Sequence, residues 1–240
     1  MQNGIRTLTE TDLSVVTSAQ QTELGAVGQT EDGRLFRYVQ AGASNLTAGS
    51  VVVAAAVTAN STGLVIPTQV AVNLAAGSTQ LIVTNGATAV TQNQFAEGFV
   101  EVLGTAGGYA VRISGNTAAG ASGAITLQLA EVLPAAVVAG TNTVNLTASP
   151  YKGLVASLTA SLPVGVVRSA IAATNFGWVQ TYGHALVTTS AAVAKGAGIA
   201  QDVSTTAGAA VTASGVVYQI GVAKEAVAGA GFVPARIALD

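Results

Sequence analysis

A chain in which only 8% of the residues are charged, against about 25% in ordinary soluble domains, cannot cover its surface in the usual way. It must use Thr, Ser, Asn, Gln and Gly, or bury much of that surface against other subunits. The apolar half of the composition is mostly Ala and Val. Val and Thr are β-branched and fit tightly stacked, pleated strands better than helices. The expected fold class is all-β, with helix disfavoured throughout. The 240 residues suffice for one large β-domain or two smaller ones, each with its own core.

The same composition excludes several classes of partner. Net charge is −2, and Lys and Arg nowhere form the stripe that phosphate contacts require, so nucleic acid is not an expected partner. The chain has no cysteine, which removes disulfides, zinc–thiolate sites and thiol chemistry together. Residues 38–96 carry no charge, yet no apolar run approaches the ~18–20 residues of a spanning helix. At 5% the aromatics are too few for the girdles of an outer-membrane barrel, so a membrane is not expected either. The opening residues Met1-Gln2-Asn3-Gly4-Ile5-Arg6-Thr7 lack the basic head and apolar stretch of a secretion signal. A protein made and kept in the cytoplasm until assembly is expected.

Charge is unevenly spread. Arg6, Glu10, Asp12, Glu23, Glu31, Asp32, Arg34 and Arg37 crowd the N-terminal segment, whose residues 20–25 show no sustained period and read as an extended arm or loop. Asp32-Gly33 supplies a hairpin turn before Leu35-Phe36-Arg37-Tyr38-Val39, where Phe36 and Tyr38 share a face. Beyond this point short alternating segments follow one another. They are Leu81-Ile82-Val83-Thr84 with Asn85-Gly86 as a turn, residues 109–114, 125–129 and 143–147, and finally 216–222 and 233–239. Pro234 marks the last as an edge strand. Leu46-Thr47-Ala48-Gly49-Ser50 is echoed at Leu74-Ala75-Ala76-Gly77-Ser78, and more loosely at residues 138–141 and 194–197. The spacing is irregular, so the echo reads as a reused turn ahead of a strand rather than a solenoid period. The expected division is an arm with a first hairpin (residues 1–40), a β-domain that is inserted in one reading (41–153), and a C-terminal β-domain (154–240).

Catalytic signals are weak. His184 is the only histidine, nothing around it resembles a nucleophile elbow, and it reads as a surface or turn residue after a strand. Glu97 and Glu101 flank strand-like residues and read as a charged edge on one solvated face, not as a glycosidase pair. Gly104-Thr105-Ala106-Gly107-Gly108 precedes a strand, not a helix, so it reads as a flexible hairpin loop and not as a phosphate cradle. No enzymatic activity, cofactor or metal is expected. The most informative segment is Phe176-Gly177-Trp178-Val179-Gln180-Thr181-Tyr182-Gly183, with the only Trp. On a strand, Trp178, Gln180 and Tyr182 line one face; they serve either as an interface anchor or as the largest pieces of core.

Gly108-Tyr109-Ala110-Val111-Arg112-Ile113, residues 127–133, Pro150-Tyr151-Lys152-Gly153 and Gly177-Trp178-Val179-Gln180-Thr181-Tyr182-Gly183 occur in an order that resembles head decoration (capsid cement) proteins of tailed bacteriophages. Residues 196–199, 217–223 and 233–239 are similar to the small β-barrel or β-tulip domain of such proteins. The resemblance implies β-sandwich or β-barrel domains with an extended N-terminal arm. It also implies a passive virion protein on the capsid exterior, a homotrimer whose partner is the major capsid protein. Multivalent weak contacts would serve such a role without a cofactor, and an arm ordering on binding would add contact area. The candidate interface residues are Arg34, Phe36, Arg37, Tyr38, Tyr151, Trp178, Gln180 and Tyr182. The competing reading is a phage or bacterial surface adhesin or tail-associated β-module. A β-helical carbohydrate-active enzyme ranks last, for want of an even repeat and an acidic cluster.

Overall fold

The computed structural model describes residues 4–56, 61–65, 75–104, 107–159, 161–214 and 218–239. Strand makes up 44% of the chain and helix 2%, so the protein is all-β. It divides into two compact units, one formed by Met1–Ala56 together with Pro150–Asp240 and the other by Val57–Ser149. The arm and first hairpin thus belong to the same unit as the C-terminal strands.

The chain of the first unit begins with β1 (Arg6–Thr7), α1 (Glu10–Ser14), β2 (Val27–Gln29), β3 (Leu35–Gln40) and β4 (Val51–Val53). The second unit contributes β5 (Leu64–Val65), β6 (Gln80–Thr84), β7 (Phe99–Gly104), β8 (Gly107–Asn116), β9 (Ala124–Leu129) and β10 (Thr143–Thr147). The first unit resumes with β11 (Pro163–Val167), β12 (Phe176–Thr189), β13 (Gly198–Gln201), β14 (Ala210–Thr212), β15 (Gln219–Ala223) and β16 (Gly231–Ala238).

In the first unit the strands run β1-β2-β3-β12-β14-β13-β15-β16, and β16 pairs back onto β12, which closes β12, β14, β13, β15 and β16 into a five-stranded barrel. Strict alternation fills it: Val233, Ala235 and Ile237 point inward beside Ala185, Val187, Ile199, Ala210 and Ile220, all buried. Small Ala and Val side chains suit an interior this narrow. Closure corrects the reading of Pro234 as an edge marker. β16 is paired on both sides, and Pro234 sits where β15 has ended, its carbonyl accepting from Lys224 N–H at 2.8 Å. In an antiparallel ladder a residue's N–H and C=O point the same way, so the missing N–H falls just beyond β15.

The N-terminal residues are irregular between α1 and β2, but they are pinned down. Leu8, Leu13 and Leu24 are buried with Phe36, Tyr38, Phe176 and Trp178 in one cluster. Tyr38 lies edge-on to Trp178 with ring centroids 5.2 Å apart and stacks on Phe176 at 6.1 Å. The short α1 is the exception to a helix-free chain. Thr9 caps it, accepting from Asp12 N–H while the Asp12 carboxylate accepts from Thr9 N–H, a reciprocal capping box.

The second unit is a curled six-stranded sheet ordered β5-β10-β7-β8-β9-β6. Its concave face buries Leu81, Val83, Phe95, Val100, Val102, Val111, Ile113, Ile125, Leu127, Val144 and Leu146. The expected alternation in residues 109–114, 125–129 and 143–147 is present. Asn85-Gly86 does not close a hairpin, because β6 pairs with β9; instead the Asn85 amide ties down the carbonyls of Thr88 and Gly120. Leu74, Thr105-Ala106 and Val216-Val217, named in the sequence readings, lie outside the described residues.

The echoed segments 47–50, 75–78, 138–141 and 194–197 are β-turns that open strands, and residues 23–26 and 206–209, outside the echo, form the same turn. In each the fourth N–H donates to the first carbonyl. The third residue is a glycine with φ between 75° and 85°, as a type II turn demands. β2, β4, β6, β10, β13 and β14 follow within two residues.

Candidate functional site

The longest strand, β12, changes partners halfway along. Up to Tyr182 it pairs with β3 and from Tyr182 onward with β16, with a bulge between Gln180 and Tyr182. β11 pairs only with Val179 and Gln180, and β14 only with Thr189. Between Tyr182 and Thr189, among the described residues, β12 is paired with β16 alone, and its opposite side carries no strand. The result is a groove of about 450 Å³ lined by Val166, Val167, Gln180, His184, Leu186 and Phe232, with Arg34 and Arg168 at its rim and Ala48-Gly49 at its far end. Thr188 N–H donates to Gly49 O at 2.9 Å and closes that end.

Gln180 forms the floor. It is 2% exposed, and its Nε2 donates to the carbonyls of Tyr182 at 3.0 Å and His184 at 2.9 Å. A side-chain amide here does the work of the missing strand. The bulge places this side chain, and Gly183 just beyond it, at φ +99°, leaves room for Arg34, whose Cγ is 2.9 Å from where a Cβ would stand.

The rim is cationic and only partly spent. The Arg34 guanidinium binds Glu10 and donates to Asp32 at 2.7 Å; its side chain is 15% exposed. Arg168, 46% exposed, donates once, to Glu10 at 3.0 Å, leaving most of its five donors available. The Arg34 hydrogen bond holds the Glu10 carboxyl below its ordinary range, with both arginines adding attraction. His184 is exposed and lies within β12, not after a strand as the sequence reading had it.

The barrel's outward face continues from the groove. Across the ladders, Val222 lies beside Arg236 and Arg236 beside His184, Leu186 opposes Pro234, and Thr188 opposes Phe232. Leu186, Phe232 and Val222 are 54%, 55% and 41% exposed. No acidic residue occurs in β12, β15 or β16.

Of the candidate interface residues, only Arg34 and Gln180 meet in the groove, beside His184. Phe36, Tyr38 and Trp178 are core of the first unit. Arg37 donates to Gly25 O and lies over the Tyr151 ring at 5.7 Å, and Tyr151 covers the backbone of Gly25. Tyr182 accepts from Arg236 at 2.7 Å, with that guanidinium also over its ring. Glu97 is in a turn at φ 63°, not on a strand face beside Glu101; Glu101 accepts from Asn145 and Thr147. Sequence reasoning missed Arg168, Leu186, Val222 and Phe232. The alternation that puts Leu186 and Phe232 outside was visible, but not that barrel closure would leave both bare.

Among the described residues no group of three or more His, Asp or Glu is placed to hold a metal ion, and no helix is long and apolar enough to cross a membrane. Compared with protein families, with curated proteins and with solved structures, the chain matches none.

Proposed function

We propose that this protein is a structural virion component that binds the outer surface of a capsid as a homotrimer and stabilises contacts between capsomers of the major capsid protein. The observation that carries the reading is the bare apolar face of the barrel, where Leu186, Phe232 and Val222 stand exposed. In a chain with 8% charged residues, such a face is the kind of surface that protein partners cover. Catalysis and a cofactor have no part in this reading. Leu8, Leu13 and Leu24 of the N-terminal segment are buried in the core, so this reading gives the capsid contact to the barrel face.

The test is to size the purified protein and then pellet it with empty capsids. A trimer that co-pellets, with binding lost in Phe232→Ser and Val222→Ser variants of unchanged melting temperature, is the expected result. A monomer that ignores capsids overturns the proposal and favours the adhesin reading.

A further inference from the structure

We infer that the groove along β12 is a docking site for an extended segment of a partner protein that carries a carboxylate side chain and, two positions along, a bulky apolar one. Three independent features of the groove converge on this occupant. The first is the open side of β12 between Tyr182 and Thr189, where β16 is its only paired strand among the described residues. An extended chain adds most readily to such an edge.

The second is the unspent hydrogen-bonding capacity. Gln180 spends its Nε2 on two carbonyls of β12 itself, which leaves Oε1 to accept from a backbone N–H of the incoming segment. Arg168 has one bond, to Glu10, and His184 makes no side-chain hydrogen bond among the described residues. Both suit an incoming carboxylate, for which a guanidinium is the stronger partner.

The third is the spacing. His184 and Leu186 are two apart on β12 and project from the same face. A segment lying alongside presents its own same-face side chains with the same period. Its acid therefore meets His184 and Arg168 while its apolar residue reaches Leu186 and Phe232. A second copy of this chain is disfavoured as the occupant at the barrel face, because Arg236 and His184 would meet themselves with no acidic residue on β12, β15 or β16 to offset them.

Only the identity of the partner as capsid protein rests on the proposed function. The test uses the full chain, isotope-labelled, with the blocked peptide acetyl-Thr-Asp-Thr-Leu-Thr-amide and its Asn analogue as probes. The Asp peptide is expected to shift the Gln180 side-chain amide and the His184 ring and to bind roughly tenfold more tightly than the Asn analogue at low salt. Arg168→Ala should erase that preference and Arg168→Lys restore part of it. Absence of binding, equal binding of the two peptides, or self-association that depends on Arg168 overturns the inference. Capsid pelleting separates the two proposals. If Arg168→Ala pellets as well as the unaltered chain, the groove inference fails and the capsid reading stands. If nothing pellets yet the Asp peptide is preferred, the groove stands and the capsid reading fails.

Discussion

Asp202 is fully buried and acidic, a costly combination unless the charge is fully hydrogen-bonded. Its carboxylate accepts from the N–H groups of Ser204 at 2.8 Å, Thr205 at 3.0 Å and Thr206 at 2.8 Å, and from the Ser204 hydroxyl at 3.1 Å. Burial alone would raise its pKa, but the nearby Ser190 hydroxyl and the three N–H groups hold it far below the usual carboxylate range. Asp202→Asn removes the charge and is expected to cost about 1.5–3 kcal/mol in the first unit. Because the folded pKa is depressed, the stabilisation is fully present above the unfolded value of about 3.9 and drains away as pH falls through the folded one. Melting temperatures of the two proteins should therefore stay apart down to about pH 4 and converge as the pH falls further. A gap that stays constant would show that the charge is not what stabilises the loop. The string Asp-x-Ser-Thr-Thr reads as a turn in the sequence, but nothing there tells that its carboxylate is sealed from water. Gln180 is similar: it was singled out on strand periodicity, whereas its role as the floor of a groove depends on a bulge and on where β11 stops.

At the scale of elements, the strand-opening turns show how much local chemistry decides. Gly196 and Gly208 have the same φ of +78°, but a Cβ on Gly196 meets open space, whereas one on Gly208 comes within 2.9 Å of the Ala156 Cβ. Gly196→Ala should cost only the conformational penalty, about 1–2 kcal/mol. Gly208→Ala adds overpacking worth roughly 1–3 kcal/mol more. Chemical denaturation of both variants reads the difference directly, and equal losses would mean that the 206–209 loop yields freely. These turns and most strands were legible because each is written within a few residues. Pro234 and Asn85-Gly86 were misread for the converse reason, since their strands' partners are remote in sequence. The helix α1 was missed although Thr9 and Asp12 stand at capping-box spacing, because five residues weigh little in an argument built on composition.

Across the molecule, the unit formed by Val57–Ser149 has its own core, and the chain of the first unit leaves and returns side by side. Val53 and Val155 are bridged, and the Ala55 Cβ lies 3.7 Å from the Cβ position of Gly153. Replacing residues 57–149 by a short Gly/Ser linker should therefore leave the first unit folded, with Trp178 emission still that of a buried indole. Calorimetry of the intact protein should lose one of two transitions on excision. Red-shifted emission and a lost cooperative melt would show that the two units fold only together. The two segment boundaries near residues 56 and 150 were only half visible. Pro150-Tyr151-Lys152-Gly153 marks a junction, whereas the first crossing falls in an Ala/Val run with nothing to distinguish it from a strand.

The adjacency of Ala55 and Gly153 also makes the barrel a socket. Any domain whose ends lie close together can be spliced there without asking the barrel to bend, so inserts can be exchanged by recombination or by a designer while the same barrel is kept.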